Sequence, residues 1–251
     1  MLIQSDYHIH ASFYRVKAEG AEPGPTAAKQ QAAARAAGCR FIGILEHCNR
    51  AKHHPFHCLE ELSAEYYSPA FDRSDTVLGV EADLYDDGSD ACGAGGRAAL
   101  GLHYVIGSVH LSPKIYADVN DYIRAEYGRI RNTLLNNRNI DIIGHPFGEG
   151  YRWVSAGLIP RWGFDLIPPE YLSEIVRLAG KSGTALEINR CDPEDAAYIS
   201  WLNTIRQEGI LISVGSDAHT VEVCAQSADR TRFAESLGFT EEQHWKPESF
   251  R

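Results

Sequence analysis

The chain has 251 residues, of which 44% are hydrophobic and 23% charged, a balance typical of a globular protein with a sizeable core. Its net charge is −10, and it has neither a basic block nor a stripe of Arg and Lys among aromatic residues, which disfavours nucleic-acid binding. The sequence lacks the roughly 18-residue apolar run of a membrane span and begins without the features of a signal peptide, so we expect a cytoplasmic protein with no membrane partner.

Short apolar runs predict seven β-strands. In chain order they are LIQSDYHI (2–9), RFIGIL (40–45), TVLGVE (76–81), HYVIGSV (103–109), IDIIG (140–144), TALEI (184–188) and ILISVG (210–215). Amphipathic segments between them predict helices over 26–38, 118–136, 169–183 and 194–209, with weaker candidates over 55–73 and 229–238. The glycine-rich segment 86–101 shows neither the helical nor the strand periodicity of apolar residues, and this predicts a loop or lid.

This alternation of strands and helices predicts a parallel sheet that is either closed as a barrel or doubly wound. Chemistry in a β/α barrel gathers at the carboxyl ends of the strands. Residue types that ligate metals stand at nearly every such end: His8 and His10, His47, Glu81, His110, His145, Glu187 with Asn189, and Asp217 with His219. We therefore predict an α/β fold over 1–251, a single-domain, distorted (β/α)7 barrel.

Eight of these side chains form the predicted metal site: His8, His10, His47, Glu81, His110, His145, Asp217 and His219. Each alone has an ordinary explanation, such as a turn residue or a salt bridge, but their shared position favours metal ligation. Imidazole and carboxylate suit Zn²⁺, Mn²⁺ and Fe²⁺, and the six cysteines include no C-x-x-C pair of a zinc ribbon. Only two of the eight are carboxylates, and Glu81 is the natural candidate to bridge two ions.

The ordered series YHIH, LEHC, GVEADL, YVIGSVH, DIIGHPF, LEIN and VGSDAHT resembles the PHP family, the polymerase and histidinol phosphatase metallohydrolases, over residues 6–220. The resemblance implies a distorted (β/α)7 barrel that holds two or three divalent ions and cleaves phosphate monoesters or related bonds. It implies one ion on His8, His10, Glu81 and Asp217, a second on Glu81, His110 and His145, and a third on His47, His219 and one further histidine.

This chain departs from the family pattern at that further histidine, because the segment after the first strand, SFYRV (12–16), contains no histidine. In one interpretation the third site is lost, weak or completed by solvent, and Arg15 binds substrate phosphate. In the other, His53, His54 or His57 of the loop NRAKHHPFHC (49–58) replaces the missing ligand. The ordinary alternative for this loop is a solvated polar turn.

The resemblance implies attack on a small phosphate monoester by a hydroxide that bridges two metals. Arg190, directly after LEIN, is the first candidate to bind the phosphate, because a guanidinium offers a planar fork to phosphate oxygens. Arg15 is the second candidate and Arg152 the third, and a surface ion pair is the alternative for each. Asp217, His219 or a water on a third metal would protonate the leaving group.

Histidinol phosphate, a substrate of histidine biosynthesis, is the leading specific substrate, and sugar phosphates and nucleotides remain open. One alternative is a β/α-barrel metallohydrolase that cleaves a C–N or C–O bond. Another is a non-catalytic regulatory barrel like the PHP modules attached to polymerases, which would predict fused domains and lost metal ligands. The sequence leaves the oligomeric state and the metal identity open.

Overall fold

The computed structural model describes residues 1–11, 26–50 and 72–250. In this part of the chain the strands are β1 (Ser5–His10), β2 (Phe41–Leu45), β3 (His47–Cys48), β4 (Thr76–Asp83), β5 (Tyr104–Ser108), β6 (Ile142–Ile143), β7 (Ala185–Ile188) and β8 (Ile212–Val214). The helices are α1 (Ala27–Ala36), α2 (Gly93–Leu100), α3 (Val119–Asn136), α4 (Tyr151–Ser155), α5 (Pro169–Ser182), α6 (Ala196–Gln207), α7 (Val221–Cys224) and α8 (Ser227–Ser236).

The strands form one parallel sheet in the order β1-β2-β4-β5-β6-β7-β8, with the short β3 continuing β2 beyond Glu46 and pairing with β4. The two ends of the sheet meet where β1 contacts the segment after β8. There the amide of His10 donates to the carbonyl of Ala218 (2.9 Å), and the amide of Ala218 donates to the carbonyl of His8 (3.2 Å). The barrel is therefore nearly closed, which confirms the predicted distorted (β/α)7 architecture.

Aromatic side chains fill the lower part of the barrel, towards the amino ends of the strands. The Tyr104 ring packs edge-on against Tyr7, with 6.1 Å between ring centroids, and the Tyr104 hydroxyl donates to the Tyr7 carbonyl (2.7 Å). A Cβ atom on Gly43 or Gly79 would clash with the Tyr104 ring, so β2 and β4 need glycine where this ring crosses. Because apolar atoms occupy this end, polar side chains collect at the carboxyl end.

The register between β1 and β2 shifts between Asp6 and Ile9, which interrupts the alternation of side chains along β1. As a result, the adjacent residues Tyr7 and His8 both contact side chains inside the barrel: Tyr7 packs on Tyr104, and His8 approaches Glu81. The bulge directs His8 towards the site without losing the apolar packing of Tyr7.

The predicted helices over 26–38, 118–136, 169–183, 194–209 and 229–238 correspond to α1, α3, α5, α6 and α8. The weak candidate over 55–73 lies, apart from its last two residues, outside the described residues. None of the helices described is both long and apolar enough to cross a membrane.

The prediction of a loop or lid over 86–101 is wrong for its second half, which forms α2. Asp90 shapes the turn that precedes this helix by accepting hydrogen bonds from the amides of Cys92 (2.9 Å) and Gly93 (2.6 Å). An ion pair of 2.8 Å joins Arg97 to Asp141, and Gly101 ends the helix at a φ of 62°. The preceding turn and a tertiary ion pair offset the low helix propensity of the glycines.

Candidate metal centre

The eight predicted ligands come together at the carboxyl end of the barrel. They lie on β1 (His8 and His10), β3 (His47) and β4 (Glu81), and after β5 (His110), β6 (His145) and β8 (Asp217 and His219). Within the described residues, four overlapping trios each place one ligand atom per residue within 4.8 Å of the others. The trios are His8–His145–Asp217, His8–His10–Glu81, His47–Glu81–His110 and His10–His47–His219. The trios share residues, so the eight side chains form one continuous cluster.

Glu81 is at the centre of this cluster and is fully buried. Its Oε1 lies 3.4 Å from His8 Nε2, 3.3 Å from His110 Nε2 and 2.9 Å from His145 Nε2. Its Oε2 lies 3.4 Å from His10 Nε2 and 2.6 Å from His47 Nδ1. Each carboxylate oxygen therefore faces a different group of imidazoles, as a carboxylate that bridges two ions must.

Asp217 and His219 complete the cluster from the segment after β8. Asp217 Oδ1 lies 3.5 Å from His8 Nε2 and 3.2 Å from His10 Nε2. His219 stacks on His10 with 4.1 Å between ring centroids. Asp217 and His145 adopt positive φ angles of 53° and 27°, which non-glycine residues rarely do. Strained backbone at two candidate ligands is typical of a functional site.

Opposed pKa shifts follow from this mixture of buried acids and bases. Burial alone would raise the pKa of Glu81, but the imidazoles of His110, His47 and His8 hold it well below its usual value. Burial alone would lower the pKa of His145, but a hydrogen bond and the charge of Glu81 raise it to about 9. Burial lowers the pKa of His219 to about 4, aided by the charge of His10. The carboxylates thus attract positive charge to a place shielded from water.

The ligand atoms fit divalent cations. His8 Nε2, both ring nitrogens of His10 and Asp217 Oδ1 are buried without a well-aligned hydrogen bond to any described residue. Unsatisfied buried polar atoms are costly, and a native fold retains them in such numbers only with a further partner. Nitrogen and oxygen donors without thiolate suit Zn²⁺, Mn²⁺ or Fe²⁺.

A second layer of carboxylates orients the imidazoles. Glu187 Oε1 lies 2.8 Å from His8 Nδ1, while its Oε2 accepts a hydrogen bond from the amide of His145 (2.7 Å). Asp83 Oδ1 lies 2.6 Å from His110 Nδ1. These contacts turn the Nε2 atoms of His8 and His110 towards Glu81 and fix their orientation.

Sequence reasoning noted Glu187 at a strand end without a role, and missed Asp83. The available signal was the spacing of GVEAD: Asp83 stands two residues after Glu81 on β4 and so shares its face.

A cavity of about 420 Å³ opens beside the cluster, with His145, Asp217, Asn189, Arg190, Tyr151 and Trp162 among its lining residues. Arg190 holds Asp192 through Nη2 (2.7 Å), while its Nη1 is buried without a hydrogen bond to any described residue. The side chain thus has one nitrogen held by Asp192 and one whose hydrogen-bonding capacity no described residue uses.

The remaining candidates are placed differently. Arg152 pairs with Glu149, which itself lines the cavity. Arg15 and the histidines His53, His54 and His57 lie outside the described residues, so both interpretations of the third site remain predictions.

No family model matches the chain. A curated relative is the DNA polymerase/3'-5' exonuclease PolX of Bacillus subtilis (strain 168), which is 27% identical over 165 residues. The match covers 66% of this chain and 25% of the relative, so the chain spans about a quarter of that protein's length.

Among solved structures, the chain is similar to histidinol phosphate phosphatase (HISK) from Lactococcus lactis subsp. lactis Il1403, complexed with zinc, L-histidinol and phosphate. The TM-score is 0.63 at 20% sequence identity, and the match covers 96% of this chain and 95% of the other. The chain therefore shares its barrel fold over nearly its whole length with a histidinol phosphate phosphatase, as the resemblance to the PHP family predicts.

Proposed function

We propose that the chain is a divalent-metal-dependent phosphoesterase of the PHP family that hydrolyses a small phosphate monoester in the cytoplasm. The observation that carries the proposal is the buried cluster of six imidazoles and two carboxylates beside a cavity that Arg190 lines. Histidinol phosphate is the first substrate to test, because the similar solved structure is a phosphatase of that ester.

The proposed ligand sets are those that the resemblance to the PHP family implies. His8, His10, Glu81 and Asp217 would hold one ion, and Glu81, His110 and His145 a second. His47 and His219 would contribute to a third. Bound ions would lower the pKa of water and neutralise phosphate oxygens, the two requirements of phosphoester hydrolysis at neutral pH. Zinc is the first ion to test, followed by manganese and iron, since zinc is present in the similar structure.

The other roles belong to residues around the cluster. Arg190 would bind the phosphate through Nη1, which has no hydrogen-bond partner among the described residues, and keep the phosphate in line for attack. Glu187 and Asp83 would hold the imidazoles in place. Asp217, which lines the cavity, and His219, 3.5 Å from it, are the candidates to return a proton to the leaving oxygen.

The test combines metal quantitation with a panel of phosphorylated metabolites. The wild-type protein should contain bound metal and hydrolyse at least one monoester. Glu81→Gln and His110→Ala should each lose bound metal and lower kcat/KM on the order of 100-fold or more. The matched control is His103→Ala. His103 is an exposed histidine that precedes β5, whereas His110 follows the same strand at its other end.

Near-normal metal content and activity in both cluster variants would refute the assignment. An amide and lactone panel tests C–N or C–O cleavage, and a single-stranded oligonucleotide tests the exonuclease activity in the name of the PolX relative. Metal binding without turnover of any substrate would favour a regulatory module.

A further inference from the structure

The cavity beside the metal cluster has an apolar wall. Tyr151 and Val154 of α4 are 54% and 37% exposed, and both line the cavity together with Trp162. Large exposed apolar side chains are few among the described residues, and two of them meet here. Because exposed apolar side chains that share a cavity with polar groups often contact a ligand, this wall requires a functional explanation.

The wall is built on the same segment that carries the candidate ligand His145. This residue is followed by the turn Gly148–Gly150 and then directly by α4. Trp162 packs over Gly150 so closely that a Cβ atom there would clash with its ring, and it meets Tyr122 edge-on with 6.0 Å between ring centroids. Trp162 is thus fixed in place relative to the metal cluster.

Polar side chains line the cavity as well. His145, Asp217 and Arg190 face the same space of about 420 Å³, which suits a small metabolite. A ligand with its phosphate at Arg190 and the metal cluster would direct its organic part towards Tyr151, Val154 and Trp162. Two aromatic side chains in this lining favour contact with a planar ring, which buries apolar surface there, over contact with a polyol, whose hydroxyl groups would give up water at these side chains.

We propose that Tyr151, Val154 and Trp162 determine substrate specificity by packing on a planar ring in the alcohol part of the phosphate monoester. This inference rests on the proposed phosphoesterase function and narrows its substrates to ring-bearing esters, against sugar and polyol phosphates. The three residues bind the leaving group rather than the phosphate, so they set preference among esters.

The test compares benzyl phosphate with glycerol 1-phosphate, two primary-alcohol esters that differ mainly in the ring. The metal-loaded wild-type protein should favour benzyl phosphate by about 10-fold or more in kcat/KM. Tyr151→Ala and Trp162→Leu should each lower this preference several-fold to about 10-fold. Inhibition by inorganic phosphate should stay unchanged, because the variants leave its contacts intact.

The control is Leu158→Ala, an exposed apolar residue just beyond α4 that is not among the cavity's lining residues. It should retain the wild-type preference. Since Tyr151 is exposed, its variant should fold even if Trp162→Leu does not. Turnover of both esters without preference, or an equal loss for both in the variants, would overturn this inference alone. Failure of the wild-type protein to hydrolyse any monoester in the panel would overturn the proposed function as well.

Discussion

The guanidinium of Arg190 is held by contacts on several sides, so its nitrogen Nη1, unpaired among the described residues, has a fixed position and orientation. Nη2 binds Asp192 at 2.7 Å and lies 3.8 Å from Asp195, while the rings of Phe164 and Tyr198 lie 5.7 and 5.4 Å from the guanidinium carbon. Ordering an arginine costs side-chain entropy, and these contacts offset that cost before an anion arrives. The side chain is thus preorganised for phosphate.

Arg190→Lys should therefore weaken phosphate binding although the charge is retained, since an ammonium lacks the planar fork. We expect KM for the best ester, and the inhibition constant of inorganic phosphate, to rise about 10- to 100-fold. Steady-state kinetics with phosphate inhibition measure both constants. Arg161→Lys, at an exposed ion pair with Asp165, is the control. Unchanged constants in the Arg190 variant would move phosphate binding to another residue.

Among elements, the strands and their ends were predictable from the sequence, and the reason is physical. Buried parallel strands are continuous apolar runs, so the first polar residue after each run marks the carboxyl end. His110 and His145 could be assigned in this way because they follow the runs of β5 and β6 directly.

Other features depend on distances that the sequence does not encode. The bulge that turns both Tyr7 and His8 inward breaks the alternation from which strand faces are predicted. Asp83 could equally have been a ligand, and its 2.6 Å contact with His110 Nδ1 gives it an orienting position instead. The helix α2 was missed because Asp90 and an ion pair, not composition, stabilise it.

Helix α3 carries a buried acid that ties it to the loop of His145. Glu126 is 1% exposed, and its Oε1 accepts a hydrogen bond from the amide of Phe147 (2.6 Å), which has a φ of 59°. Burial raises the pKa of Glu126 to about 7. The acid thus helps to hold a strained turn two residues after a candidate ligand.

This raised pKa predicts a pH-dependent stability. Between about pH 4.5 and 7 the folded protein keeps a proton that the unfolded chain releases, so the contribution of Glu126 falls as pH rises. Glu126→Gln keeps an oxygen for the Phe147 amide but carries no charge. The free energy of unfolding of Glu126→Gln minus that of the wild type should therefore be about 2 kcal/mol larger at pH 8 than at pH 5.

Urea unfolding of both proteins at the two pH values, under identical metal conditions, measures that difference. Asp121→Asn, at a partly exposed carboxyl that pairs with Arg124 on the same helix, controls for the loss of a charge. If the difference between wild type and Glu126→Gln were the same at pH 5 and pH 8, the buried acid would not titrate in this range.

On the scale of the whole molecule, the net charge of −10 and the cluster at the mouth of the barrel both favour the binding of cations. The long-range field attracts divalent ions, and the convergence of six strand ends supplies their candidate ligands. Without metal, protons are the alternative positive charge. Burial opposes protonation of His8 and His110, yet the carboxylates nearby raise the pKa of both well above the usual value.

Metal binding should therefore release protons. Below about pH 9, the raised pKa of His145, an ion must displace a proton to reach that nitrogen, so apparent affinity should increase as pH rises towards this value. Zinc titration calorimetry at pH 7, in two buffers of different ionisation enthalpy, should give buffer-dependent heats equivalent to about one to three protons. Glu187→Gln leaves the candidate ligands in place but removes a charge that raises the pKa of His8, so metal bound to this variant should release fewer protons. Buffer-independent heats in the wild-type protein would mean that the imidazoles are already neutral before the ion arrives.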